Sequence, residues 1–323
     1  MKITFILPAI GKKSGQTYLR SWLMEPLTIA VLNSMIPERF EREFFDDRIE
    51  NINYDTETDI VFITVETYTA KRASFIASEF QKRGKKVIMG GYHVTLCPEE
   101  AIEHADSIMV GNADGIISGV LSDIESGTLQ PRYDGGACIA YKMPDRSIYE
   151  NKMKKYLPVS LVETGRGCYH NCEFCSIAGY YHQRYLHREV ADIIAEIKAC
   201  KHKIFFFVDD SIFSDKAFAR ELFEELKKLD VWNIKMSGTY VTVNAGVVAG
   251  LLAAADNEDG KITPRNDLLE EDFKDIWWVG DYSNKNDETT GGMIAIHMMN
   301  SLSTTGFSLK SGDKVKGQFA FEY

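Results

Sequence analysis

Three cysteines close together, in Gly167-Cys168-Tyr169-His170-Asn171-Cys172-Glu173-Phe174-Cys175, define the chemistry open to this chain. Thiolates in this x3–x2 spacing suit an iron–sulfur cluster or a zinc ion. Zinc would need a fourth ligand, for which His170 and His182 are candidates, and it more often uses paired CxxC knuckles. A cluster held by Cys168, Cys172 and Cys175 alone would keep one iron open to another molecule. The cluster is the better reading, zinc the second, and unliganded structural cysteines the third.

Two further groups of residues have chemical potential. Adjacent carboxylates, Asp209 and Asp210, follow the apolar run Ile204–Val208, and read either as a cap or solvated turn or as ligand contacts. Three loops then stand out in the N-terminal part: Glu66–Thr69, which includes Thr67; Gly90-Gly91-Tyr92-His93-Val94-Thr95; and Gly111-Asn112-Ala113-Asp114-Gly115. The first is polar and the others carry glycines, so a backbone there can approach a flat ligand closely. Paired glycines in such loops are also commonly just structural.

The elements that must position these residues have an α/β rhythm. Ile3–Leu7, Glu43–Phe45, Ile60–Val65, Val87–Met89 and Ser107–Val110 read as strands, most of them apolar on both faces as in a parallel sheet covered by helices. Ala73, Ile76, Ala77 and Phe80 share one helical face, which Gly84 should terminate. This is a doubly wound pattern, and such sheets bind ligands beyond the carboxyl ends of their strands. Residues 116–155 read as a connector with a helix and turns, including Gly135-Gly136. A second β/α run follows: strands at Val159–Thr164, Lys203–Val208 and Asn233–Ser237, a helix through Val190, Ile193, Ile194 and Ile197, and another through Phe218, Leu222, Phe223, Leu226 and Leu229 capped by Ser214 or Asp215. Three units are fewer than the roughly six or eight of a barrel.

The cysteine loop, with Phe174 before its third cysteine, resembles the signature of the radical S-adenosylmethionine superfamily. Phe207-Val208-Asp209-Asp210-Ser211-Ile212-Phe213 resembles the motif that touches the methionine amino group in its cobalamin-dependent members, and Arg184 and Arg188 resemble further family positions. Gly90–Ala101, His104-Ala105-Asp106 and Val110–Gly115 resemble the cobalamin-binding domain that precedes many of these enzymes. The cobalamin-ligating DxHxxG motif is absent, since Phe44-Phe45-Asp46-Asp47-Arg48-Ile49-Glu50-Asn51 contains no histidine.

Over residues 1–237 the resemblance implies a Rossmann-like cobalamin-binding domain at 1–135 and the N-terminal part of a (β/α) radical barrel at 136–238. It implies a 4Fe–4S cluster on Cys168, Cys172 and Cys175, S-adenosylmethionine seated by Phe174, Asp209, Asp210 and Arg184, and cobalamin near Thr67, Gly90, Gly91, His93, Val94, Gly111 and Asn112. It makes methyl transfer to an unactivated carbon of a small-molecule or lipid substrate the leading expectation, with cyclisation or rearrangement as alternatives. It also implies a protein reductant of the flavodoxin or ferredoxin kind. His93 would line the corrin pocket or cap a turn.

Bulk properties agree. The 323 residues, 45% hydrophobic, suit a globular chain of about two domains. A net charge of −10 argues against a nucleic-acid partner. Cys97, Cys138 and Cys200 are scattered and read as buried free thiols, which points to a reducing, cytoplasmic setting. The start of the chain reads as a strand broken by Pro8, with no signal peptide, and no apolar run reaches the roughly 18–20 residues of a membrane span.

From about Thr239 the β/α rhythm fades. Met293–Asn300 reads as a short helix, and Phe307–Lys310 and Gln318–Tyr323 as antiparallel strands; the ending faintly resembles phage virion or tail-tube β proteins. Asp256–Thr263 resembles the middle of an EF-hand loop, but Ala255 and Asn266 occupy the strong anionic positions, so an acidic turn is expected rather than calcium. Residues 239–323 are therefore left as either a divergent barrel end or an unrelated segment. The rival functional readings are an inactive chimera, a non-catalytic corrin- or metal-binding protein, and a structural phage-type protein.

Overall fold

The computed structural model describes residues 1–10, 23–137, 142–170, 176–202, 204–229 and 233–236. Every expectation for residues 239–323, the EF-hand-like turn included, lies outside them, as does Cys138. The chain divides into two compact units at Leu157/Pro158.

The first unit is a six-stranded parallel sheet. Its strands are β1 (Lys2–Leu7), β2 (Glu41–Asp46), β3 (Ile60–Thr64), β4 (Lys86–Gly90), β5 (Ser107–Gly111) and β6 (Arg132–Gly136), in the order β2-β1-β3-β4-β5-β6. Alternate residues of one strand feed opposite faces. Ile3 and Phe5 pack with α1 (Leu27–Met35) and, further along the sheet, Ile117, Val120 and Leu121 of the helix Ile117–Ser126, while Ile6 joins the opposite core. That second core takes Ala73, Ile76, Ala77 and Phe80 from α2 (Ala70–Gln81), Val94 from α3 (Tyr92–Leu96) and Ala101 from α4 (Pro98–Ile102). The helix Ile117–Ser126, α5, completes the set. Helices on both faces explain why these strands read as continuous apolar runs.

One expectation is corrected. Gly135-Gly136, read as a turn in a connector, lies in β6, whose residues alternate in exposure at the sheet edge. Arg-Tyr-Asp-Gly-Gly has no apolar pattern because an edge strand needs only its backbone ladder to β5 and little core. After it, Asp145 N–H donates to Ala30 O and the Tyr149 hydroxyl to Pro26 O, with Tyr149 fully buried, so this stretch belongs to the first core. The first unit thus continues to Leu157, beyond the boundary at 135/136 expected from sequence.

Cys97 and Cys200 are half-buried, where full burial was expected. Each lies at the end of a helix, Cys97 between α3 and α4 and Cys200 just past Ala199, where Cys200 packs against a core.

The second unit has a three-stranded parallel sheet of β7 (Ser160–Val162), β10 (Ile204–Phe207) and β11 (Asn233–Met236), in the order β11-β10-β7. A separate antiparallel ribbon pairs β8 (Gly165–Gly167) with β9 (Tyr185–His187), and α6 (Ser176–Tyr181) lies between them in sequence. Helices α7 (Val190–Ala199) and α8 (Lys216–Leu226) bury Ile193, Ile197, Phe218, Leu222 and Phe223 against Val162, Phe205 and Phe207. Asp215 caps α8 by accepting from Phe218 N–H at 2.9 Å. The strands and helices are the β/α units expected for the front of a barrel.

Gly91 is where the first sheet is least forgiving. It sits at φ +110°, and a Cβ there would lie 2.7 Å from Val65 O and 2.8 Å from Val65 N. Gly91→Ala should therefore lower stability by about 2–3 kcal/mol through positive-φ strain and backbone collision. An unchanged urea midpoint would contradict this packing.

Candidate functional site

In the first unit the strand order reverses at β1, with β2 on one side and β3 on the other, all three parallel. The carboxyl ends of β1 and β3 therefore form a switch point of the kind at which parallel sheets bind ligands. The three loops singled out from sequence follow β3, β4 and β5 at that edge. Thr67 is exposed and opens a one-turn helix, Thr67–Thr69, closed by a reciprocal capping box between Glu66 and Thr69. Tyr68 in that turn is 68% exposed. Burial raises the Glu66 carboxyl above its ordinary range.

The remaining residues expected near a corrin are largely committed to structure. Gly90 ends β4, and Gly91 lets the loop close on Val65, whose N–H donates to Gly90 O and whose carbonyl accepts from His93 N–H. Val94 is fully buried in the core. His93 is buried, with Nε2 3.7 Å from Glu100 Oε1 and Nδ1 lacking a hydrogen-bond partner among the described residues. Gly111 N–H donates to Thr95 Oγ1 at 2.9 Å, and Asn112 N–H donates to Gly136 O at 3.0 Å.

Phe44–Asn51 contains no histidine but two adjacent carboxylates, Asp46 and Asp47. The structure shows what its carboxylates do. Asp46 and Asp47 are fully buried at the end of β2. Asp46 accepts from the Arg48 guanidinium at 2.7 Å and the Tyr156 hydroxyl at 2.9 Å. Asp47 accepts from Ala9 N–H at 3.0 Å and from Arg72 Nε and Nη2 at 2.8 Å. Asp47 ties the loops after β1 and β2 to α2.

In the second unit the cysteine loop leaves the ribbon. Cys168, a free and half-buried thiol, follows β8 directly. Cys172, Phe174 and Cys175 lie outside the described residues. Among the described residues no group of His, Cys, Asp and Glu gathers as a metal site.

Asp209 and Asp210, at the end of β10, grip β8 and the turn before it. Asp209 Oδ1 accepts from Thr164 N–H at 2.9 Å, from Thr164 Oγ1–H at 2.7 Å and from Gly165 N–H. Asp210 Oδ2 accepts from Gly167 N–H at 2.8 Å, one residue before Cys168. Ser214 Oγ accepts from Tyr169 N–H at 3.4 Å.

Arg188 approaches the same turn from the far end of β9. Its N–H donates to Thr164 O at 2.9 Å, and its Nη1 donates to Glu163 O at 2.6 Å and to Glu196 at 2.7 Å, with both side chains buried. Arg184 Nε donates to Tyr181 O at 3.3 Å, within the loop. Gly165 and Gly167 were not singled out from sequence, yet a Cβ on Gly165 would lie 2.6 Å from the Tyr185 ring. Gly167, at φ +88°, has Arg184 O where a Cβ would be, at 2.2 Å. The readable signal was the Gly-x-Gly immediately ahead of the first cysteine.

Asp209 is only 2% exposed, and Oδ2 has no hydrogen-bond partner among the described residues. Burial pushes its carboxyl up to about 7, and the charge of Glu163 adds to this; the hydrogen bonds from Thr164 and Gly165 pull the other way. Burial also raises the Tyr185 hydroxyl, with Asp209 contributing. Because the folded chain holds the Asp209 proton to higher pH than the unfolded one, the linked stability is full below about pH 4 and is lost as pH rises through about 7. Between pH 5 and 8 the urea stability of the wild type should fall by about 2–3 kcal/mol relative to Asp209→Asn. Parallel pH profiles for the two proteins would refute the assignment.

No protein-family model matches the chain. It is 34% identical over 189 residues to bacteriochlorophyllide d C-8(2)-methyltransferase of Chlorobaculum tepidum, covering 55% of this chain and 40% of that protein. It is 28% identical over 230 residues to bacteriochlorophyllide d C-12(1)-methyltransferase of the same organism, covering 67% and 50%. The chain thus spans about half the length, or less, of these curated relatives. In fold it is similar to TsrM of Kitasatospora setae, a radical S-adenosylmethionine methyltransferase solved with tryptophan substrate and the analogue aza-SAM. That match has a TM-score of 0.54 at 16% identity and covers 93% of this chain and 66% of TsrM. The α/β fold expected from the sequence is thus similar to that of TsrM.

Proposed function

We propose that this chain, similar in sequence to bacteriochlorophyllide methyltransferases and in fold to the radical S-adenosylmethionine methyltransferase TsrM, is a cobalamin-dependent radical enzyme that methylates an unactivated carbon. The observation that carries this is the cysteine loop hung from a ribbon whose first strand is gripped by two carboxylates of the next parallel strand. A free, half-buried thiol at the root of that loop fits a cluster ligand. Cys168, Cys172 and Cys175 would hold a 4Fe–4S cluster. The loops after β3, β4 and β5 would receive cobalamin, with Thr67 at its rim and backbone atoms of Gly90, Gly91, Gly111 and Asn112 lining it.

When bound, the cluster, S-adenosylmethionine and cobalamin supply the radical and methyl chemistry; the protein supplies orientation and exclusion of water. The residues have distinct tasks in this scheme. Phe174 and Arg184 lie in the loop that would seat S-adenosylmethionine. Asp210, exposed on one side and bonded to Gly167 N–H on the other, can accept from a ligand's amino group without releasing the loop. Asp209 is too buried to reach a ligand, and its role is structural. The substrate class we favour is a small molecule or lipid, with electrons from a flavodoxin- or ferredoxin-type protein in a reducing, cytoplasmic setting. No helix among the described residues is long and apolar enough to cross a membrane.

Anaerobic reconstitution with iron and sulfide tests the reading. The wild type should gain about four irons per chain and a broad absorption in the violet. Cys168→Ala and Cys172→Ala should lose both while the far-ultraviolet dichroism of the first unit persists. Retention of zinc in place of iron, or a full iron complement in Cys172→Ala, would defeat it.

A further inference from the structure

The ribbon that carries the cysteine loop pairs only Gly165–His187, Arg166–Leu186 and Gly167–Tyr185. A two-stranded hairpin of that length is marginal in water by itself. Among the described residues it belongs to neither parallel sheet, and no further strand completes its ladder. The stem must therefore be held by side chains, and the described contacts converge on one point. Thr164, fully buried, donates its backbone N–H and its hydroxyl to Asp209 Oδ1. Because that hydroxyl donates to Asp209, it can only accept from the Tyr185 hydroxyl, 3.5 Å away. Tyr185 is the first residue of β9, the strand on the other side of the cysteine loop, and its ring fills the space left by the missing side chain of Gly165.

We propose that Asp209 and Thr164 are positioning residues forming a lock that joins both strands of the stem through one buried carboxylate, and that this lock sets how firmly the cysteine loop retains its cluster. The inference rests on the functional reading above and extends it to residues that touch neither cluster nor ligand. Its chemistry is specific. The hydroxyl of Thr164 links the Tyr185 hydroxyl to Asp209, so the lock needs a hydroxyl at position 164 and not merely a side chain of that size. Valine matches threonine in shape but breaks the chain of hydrogen bonds on both sides, leaving an acceptor and a donor buried. Serine keeps it.

The test compares reconstituted wild type with Thr164→Val, Thr164→Ser and Tyr185→Phe, all full-length, following iron release to a strong ferrous chelator under argon. Thr164→Val should release iron about tenfold faster than wild type, as expected for loss of a buried hydrogen-bond link. Thr164→Ser should stay within about twofold of wild type, since the hydroxyl is retained. Tyr185→Phe, which removes only the outer hydroxyl, should fall between them and decides the matter if Thr164→Val does not fold. A merely structural role would lower melting temperature in these variants without changing iron release from the folded protein. Equal release rates in folded Thr164→Val, or in Tyr185→Phe if valine is not tolerated, would overturn the lock while leaving the cluster assignment intact. A wild-type chain that takes up no iron overturns the functional reading and the lock with it.

Discussion

A short antiparallel ribbon cannot carry a reactive loop unless something other than its own ladder fixes it, and in this chain that something is a carboxylate removed from water. Asp209 stands at the end of β10 with one oxygen taking three hydrogen bonds from Thr164 and Gly165. Removing a charge from solvent is costly, and the raised proton affinity of the group records that cost. The return is geometric. The turn between β7 and β8 is tied to the central strand of its sheet, so the cysteine loop starts from a fixed point rather than from a flexible connector. Asp210 adds a second tie at Gly167, and Arg188 a third from β9. A metal or cluster site needs its first ligands placed before the ion arrives, and backbone anchors of this kind do that without spending a ligand.

The first unit solves a related problem differently. Its ligand edge is built from loops after parallel strands, which tend to be mobile unless held. Asp46 and Asp47 hold two of them with buried ion pairs to Arg48 and Arg72. Gly91 holds a third by allowing backbone contact with Val65. In both units, buried carboxylates at strand ends take hydrogen bonds from backbone N–H groups or cations of neighbouring loops.

Much of this was legible in the sequence because it depends on local pattern. Ile60–Thr64 and Lys86–Gly90 are apolar on both faces and could hardly be anything but interior strands. The core faces of α2, α7 and α8 follow from helical spacing of Ala73, Ile76, Ile193, Ile197, Phe218 and Leu222. The three cysteines are legible because thiolate spacing is itself chemical. What was not legible depends on contacts between residues far apart in the chain. Edge strand β6 has no apolar signal, since its register comes from β5. Asp209 reads either as a cap or as a ligand contact, and the donation from Thr164, 45 residues away, cannot be read from the sequence. Gly165 reads as filler until the Tyr185 ring is found where its side chain would be.

That last difference bears on how adjacent acidic residues after a strand should be read. Asp209 and Asp210 are neighbours in sequence, and a motif assigns them one task. Both lie just past the end of β10, where the chain leaves the sheet, and the two carboxylates meet different environments. Asp209 is 2% exposed and spent on backbone donors, whereas Asp210 is exposed and spends one oxygen on Gly167. A group that must meet a ligand's ammonium needs to be ionised and reachable, and of the pair Asp210 alone is reachable. A group that must hold a loop needs burial and donors, and Asp209 has both. The pair therefore divides the work, one residue fixing the loop from which the cysteines hang and the other left to face what binds there.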